Sequence, residues 1–249
     1  MKKLISSFCF LLVFSGLMFA QQSAAPDKFA IYEDIVRPSM DAQYKEALKK
    51  LKSACDLHKA DFSWTSVVYD DNTYAHLIPI KGFADLDRNM LAGLETKMGK
   101  EAVAGIFTEL EKCVESSSSF VATVLPDLSY LSPQTGENYR DILFWEVLPG
   151  KEAEGEKLIK EWSTLCKSKN APNGFVTYKV LFGREPGYAF VSWGKTPLDL
   201  ATKSQKNNEL FGEEGGKLWA KTMAITKKYY YRKAWVLPDF SKTLTTASN

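Results

Sequence analysis

The chain has 249 residues, 45% of them apolar and 13% aromatic, which is enough for one large or two small packed domains and excludes global disorder. Its 32 basic and 30 acidic residues give a formal charge of +2, and removal of Lys2 and Lys3 with an amino-terminal signal leaves 30 of each. A balanced surface of this kind has no net pull toward nucleic acid or an anionic membrane.

Lys2 and Lys3 precede an uncharged, mostly apolar run from Leu4 to Phe19, and Ala20 is followed by Gln21 and Gln22, the pattern of an export signal. Residues 1–20 are assigned as a signal peptide cut after Ala20, with Ala24 or Ala25 as the other cleavage points. The run is short for a spanning helix, which needs about 20 residues. Cys9 sits inside it behind bulky Phe8, so no lipid anchor is expected. The mature protein is expected to be extracytoplasmic, periplasmic or released. It keeps Cys55, Cys113 and Cys166, whose spacings of 58 and 53 residues match no zinc or redox motif. Buried, apolar-like thiols are expected.

In chain order, Phe29–Val36 reads as a strand, and Pro38 with Ser39 marks the start of a helix whose apolar stripe is Tyr44, Ala47, Leu48, Leu51, Ala54 and Cys55. Phe62–Tyr69 and Thr73–Ile80 read as a hairpin turning at Asp70, Asp71 and Asn72. Gly82–Ser117 is helical in character with a break near Gly99; Ser116–Ser119 ends it, and Phe120–Leu125 is the next strand. The order then recurs: strand Tyr139–Leu148, a helix from Pro149 and Gly150 carrying Leu158, Ile159, Trp162, Leu165 and Cys166, a strand pair Gly174–Phe182 and Tyr188–Trp193, a helical region from Thr196 to about Lys228, and a strand Tyr229–Leu237. Gly212, Gly215 and Gly216 read as a helix break, with no strand before them to make a phosphate loop.

The recurrence is a duplication. Pro38 matches Pro149 and Cys55 matches Cys166 at an offset of 111, Phe62 matches Phe175 at 113, and Tyr74 matches Tyr188 at 114. Each copy closes on one phrase, Val124-Leu125-Pro126-Asp127-Leu128-Ser129 and Val236-Leu237-Pro238-Asp239-Phe240-Ser241, read as the stop of an edge strand. The organisation predicted is a first repeat over 26–130, a linker over 131–138, a second repeat over 139–242 and a tail over 243–249. Each copy reads βαββαβ, with two helices on one face of a four-stranded antiparallel sheet. The fold class is α+β: two tandem ferredoxin-like repeats packing sheet to sheet as a pseudo-symmetric barrel with the helices outside.

The stretch Glu146-Val147-Leu148-Pro149-Gly150-Lys151-Glu152-Ala153-Glu154, a strand ending in Pro-Gly before an acidic helix start, resembles the dimeric α/β-barrel superfamily in its fused two-repeat form. That group includes antibiotic-biosynthesis-type monooxygenases, heme-degrading enzymes, chlorite-dismutase-like proteins and NIPSNAP-like proteins. The chlorite-dismutase-like members hold heme through a histidine of their second repeat, whereas this chain has no histidine after His76. The heme-degrading members use Asn, Trp and His together; Trp64 and His76 match two of the three, and neither first strand supplies an asparagine.

From the residues alone, no Ser/His/Asp arrangement, phosphate loop or metal-ligand cluster is found, so no catalytic residue, cofactor or metal is assigned. His76 falls where the second copy carries Phe190, the place of an aromatic-sized filler or of a ligand contact. Glu33, Asp34 and Glu146 are strand carboxylates that either point into a pocket or sit in water near strand ends. Strand aromatics supply barrel core or the wall of an apolar pocket. The candidate binding set is Trp64, Tyr74, His76, Trp145, Glu146, Tyr178 and Tyr188. Three functions follow: an exported binding or accessory protein for a small apolar or aromatic molecule; a cofactor-independent or heme-linked monooxygenase-type enzyme; or an interaction protein with a solid barrel. No nucleic-acid partner and no membrane span are expected, and the chain is read as a monomer or homodimer.

Overall fold

The computed structural model describes residues 27–131, 133–134 and 136–243, so the signal assigned to 1–20 and all but residue 243 of the tail lie outside the described residues. The first half runs β1 (Lys28–Val36), α1 (Asp41–Leu57), β2 (Thr65–Tyr69), β3 (Thr73–Ile80), α2 (Ala92–Met98), α3 (Lys100–Glu111) and β4 (Val114–Val124). The second runs β5 (Tyr139–Val147), α4 (Glu152–Ser168), β6 (Val176–Phe182), β7 (Tyr188–Gly194), α5 (Pro197–Ala224) and β8 (Thr226–Val236). The helices end where the sequence demands it. Gly99, at φ +88°, separates α2 from α3, and Gly212, at φ +48° and ψ −132°, kinks α5. Thr196 caps α5 by accepting from the Asp199 N–H at 3.1 Å.

Within each half the strands lie in the order β4-β1-β3-β2 and β8-β5-β7-β6. The two sheets do not stack. They join edge to edge, β2 to β8 and β4 to β6, into one closed antiparallel barrel, with Val68 opposite Trp235 at one seam and Ala122 opposite Val180 at the other. The physical reason is that stacking would leave four strand edges with unpaired backbone groups, and closure leaves none. Strand alternation then separates two faces. Inside, all eight strands contribute to one cluster, among them Ile31, Tyr69, Ala75, Phe120, Phe144 and Ala234. Outside, α1 and α3 cover the first sheet over Tyr44, Leu48, Leu51, Tyr74 and Val103, and α4 and α5 cover the second over Trp145, Ile159, Leu165 and Leu218.

Two local expectations are corrected. β4 begins at Val114 and runs straight through Ser116–Ser119, which pair with β1 from Ile35 back to Tyr32. Short hydroxyls are strand-compatible when a neighbouring strand supplies acceptors, and here Ser117 Oγ donates to Asp34 Oδ1 at 2.6 Å. The repeated phrase, for its part, stops no edge. Each copy forms a 3-10 turn (Pro126–Leu128, Pro238–Phe240) that clasps the other half. The Ser66 N–H donates to Ser241 Oγ (2.9 Å), and the Thr177 N–H donates to Ser129 Oγ (3.0 Å). Ser66 Oγ donates to the Phe240 carbonyl (2.9 Å), and Thr177 Oγ1 donates to the Leu128 carbonyl (2.7 Å). Cys55, Cys113 and Cys166 are buried free thiols, and burial pushes Cys55 and Cys166 up to about 11.

Candidate ligand-binding site

Between the first sheet and its helices lies a cavity of about 570 Å³. Its wall is apolar over Leu48, Leu51, Trp64, Ile78, Phe107 and Leu110, and carries polar groups from β1, β3, α1 and β4. Alternation puts Asp34 and Tyr32 on the outer face of β1, and the register sets His76 of β3 directly opposite Tyr32. The α1 stripe delivers Tyr44 to the same spot.

Four side chains there form a line. Tyr44 Oη donates to Asp34 Oδ2 at 2.7 Å and lies 3.0 Å from His76 Nε2. On the other side of the imidazole, Nδ1 lies 2.9 Å from Ser66 Oγ, which in turn donates to the Phe240 carbonyl. The Trp64 indole N–H donates to that same carbonyl at 2.8 Å. Burial pushes His76 down to about 4, partly opposed by the Asp34 carboxylate, so the ring is neutral at pH 7. Burial, reinforced by Asp34, holds the Tyr44 phenol well above its ordinary range. Proton counting gives the line its chemistry. With His76 neutral, Tyr44, His76 and Ser66 bring three protons to four short contacts. One further proton, on His76, completes every contact without moving a heavy atom. The line therefore has a place for one more proton, against the burial that disfavours a charged His76.

The sequence-predicted residues separate into several places. Trp64 and His76 line this cavity, whereas Tyr74 is fully buried behind it, its ring 4.7 Å from that of Tyr44 and its hydroxyl donating to Asp41. Trp145 lines the corresponding space in the second half, with its indole N–H donating to Thr226 Oγ1 at 2.7 Å. Tyr188 lies against Trp145 and donates to Glu156. Tyr178 packs inside the barrel on Phe29, 6.2 Å between centroids. Glu146 faces the barrel mouth, 3.4 Å from Lys227. Glu33 is buried at the barrel end between Arg184 and Arg232, each at 3.2 Å.

Tyr44 and Ser66 were not singled out by sequence reasoning. Their signal was the repeat alignment: at an offset of 111 Tyr44 meets Gly155, an exchange that pure core filling does not require.

Solved structures share this architecture. A candidate monooxygenase from Lactobacillus acidophilus NCFM aligns at 9% identity over 88% of this chain and 97% of that one, with a TM-score of 0.56. An anthrone oxidase-like protein aligns at 14% identity over 89% and 94%, TM-score 0.57. The fold is the dimeric α/β-barrel. A chlorite dismutase from Candidatus Nitrospira defluvii carries the same barrel at 8% identity over 87% and 94%, TM-score 0.53. No protein-family model matches the chain, and no curated protein matches it in sequence. Among the described residues no helix is long and apolar enough to cross a membrane.

Proposed function

We propose that the chain is an exported small-molecule-binding protein whose first-half cavity takes an apolar or aromatic molecule bearing a hydroxyl. One observation carries this reading: the Asp34–Tyr44–His76–Ser66 line, one proton short of complete, set in the wall of an otherwise apolar cavity of about 570 Å³. An apolar body is favoured by burial, and the hydroxyl by the vacant acceptor capacity. Export rests on Lys2, Lys3 and the apolar run that follows. The matched residues of the halves support a fused duplication, with kinship to the antibiotic-biosynthesis-type and NIPSNAP-like members of the superfamily as the finer expectation. A single chain that closes its own barrel has no need of a second subunit for closure, which favours the monomer over the homodimer.

The monooxygenase-type reading rests on the same polar groups in the cavity wall. If His76 or Asp34 removes a proton from an activated methylene, the carbanion can be oxidised by dioxygen, one oxygen atom entering the product as a ketone and the other leaving as water with the two hydrogens. The test is a titration of tryptophan fluorescence with 1-naphthol, naphthalene and 1-naphthoate, alongside dioxygen uptake with anthrone. Naphthol is expected to saturate and to bind more tightly than the other two, with loss of that preference in His76→Phe and Asp34→Asn. Equal affinity for naphthalene, or naphthol binding unchanged in both variants, overturns the reading. Anthrone-dependent oxygen uptake abolished by the same substitutions decides for the enzyme, and its absence for the binding protein.

A further inference from the structure

The second half has its own cavity, of about 310 Å³, between β5, β7 and β8 on one side and α4 and α5 on the other. It lacks the hydrogen-bonded line of the first and offers something different. Two acceptors on its wall, Asp141 Oδ1 and Asn173 Oδ1, are buried without any hydrogen-bond partner. The orientation of Asn173 is fixed from behind. Its Nδ2 donates to Ser204 Oγ (3.0 Å), its backbone N–H donates to Asn207 Oδ1 (3.0 Å), and Asn207 Nδ2 donates back to the Asn173 carbonyl (2.9 Å). Asp141 is the one charged residue of the lining and makes no salt bridge, although Lys233 stands opposite it on β8. Burial raises its carboxyl above the ordinary value, with Lys233 opposing the rise and Asp70 adding to it. Unpaired buried acceptors are costly, so two on one wall call for a donor from outside.

The rest of the wall narrows the donor's chemistry. Trp145, Trp162, Phe190 and Phe211 are apolar, and Trp219, Tyr229 and Tyr231 form an exposed edge-to-face ladder at 6.0 and 6.3 Å. Aromatic faces attract cations and repel anions. A hard metal ion takes six or more oxygen ligands, which this wall does not supply. An uncharged hydroxyl would serve one acceptor and bring no charge to a carboxylate that Lys233 faces without a salt bridge, whereas an ammonium brings several donors and the matching charge.

We propose that the second-half cavity binds a small organic ammonium ion with an apolar or aromatic body, its N–H groups donating to Asp141 and Asn173 and its body lying among the rings. This site is separate from the first-half cavity and independent of the function proposed for it. The experiment is calorimetric titration of the purified protein with phenethylamine, 2-phenylethanol and phenylacetate as probes. Phenethylamine should saturate one site, with 2-phenylethanol about tenfold or more weaker and phenylacetate unbound, the margin expected when a charged acceptor loses its donor. Asp141→Asn should weaken phenethylamine by a similar factor while leaving 1-naphthol binding at the first cavity unchanged. Three outcomes overturn the proposal: no saturation by phenethylamine, equal affinity for the alcohol or the acid, or full amine affinity in Asp141→Asn. If that variant fails to fold, the three-probe comparison on the unmodified protein still decides.

Discussion

The two helix-covered layers share a strand order and hold opposite contents. In the first, β1 carries Asp34 and α1 carries Tyr44; at the matching places in the second, β5 carries Trp145 and α4 carries Gly155. A carboxylate and a phenol have been exchanged for an indole and a hydrogen atom. A side chain at 155 would crowd this place, since its Cβ would come within 3.2 Å of Val147 Cγ1 and already touch the Trp145 ring at 3.5 Å. His76 against Ser66 likewise becomes Phe190 against Thr177. One half thus holds a polar line beside a cavity of about 570 Å³, and the other fills that position with a ring and keeps about 310 Å³. The comparison teaches that one layer architecture accommodates both a polar line and a ring at the same place, and that the polar residues of the first layer are not demanded by the fold.

The exchange can be broken at several points. The largest effect is expected inside the barrel, where Glu33 occupies the position of Phe144 and pairs with Arg184 and Arg232. Glu33→Ala leaves the Arg184 guanidinium without a carboxylate, while Arg232 keeps Asp71, and should cost about 3–5 kcal/mol in a denaturant melt. Next, Gly155→Tyr drives a ring into Trp145 and should cost about 1–3 kcal/mol, with part of the loss recovered when Trp145→Asp is added, because the pair then recreates the first layer. Ser129→Ala and Ser241→Ala each remove one acceptor from a clasp and should cost about 1 kcal/mol apiece, measured by the same melts. His76→Phe should be the mildest, under about 1 kcal/mol, since Tyr44 still donates to Asp34 and Ser66 still donates to Phe240.

The same residue gives a pH signature. His76 is held near 4 in the folded protein against an ordinary 6.5, so the unfolded chain takes up the proton first. Stability should therefore decline as pH falls from about 6.5 toward 4 and show no contribution from this ring above 6.5. Replacement by Phe removes that share of the slope; an unchanged profile of the melting midpoint would show that the ring does not bury neutral.

Much of this was legible in the residues. The β and α periods and the offsets near 111 set out two βαββαβ halves and matched His76 to Phe190, without saying which face of the sheet the pair occupies. Seam pairing was not legible, because β2 and β6 present similar edges and only closure selects β8 and β4 as their partners. The serine run misled because hydroxyls mark turns in isolation, and their strand acceptors, Asp34 and Glu33, lie more than 80 residues away. Tyr44 counted as one more apolar stripe residue, since helical period registers its ring and is blind to its hydroxyl.

The clasp made by the second phrase has a consequence for how the larger cavity comes into being. Every residue lining it falls between Tyr32 and Ser118, yet the carbonyl that fixes both Ser66 and Trp64 belongs to Phe240, 174 and 176 residues onward. A chain shortened to end before Val236 would contain the complete set of lining side chains and lack the anchor that orients them. The cavity thus depends on a turn far along the chain: ligand affinity should emerge only when the Pro238–Phe240 turn has docked, whatever helical content the shortened chain retains.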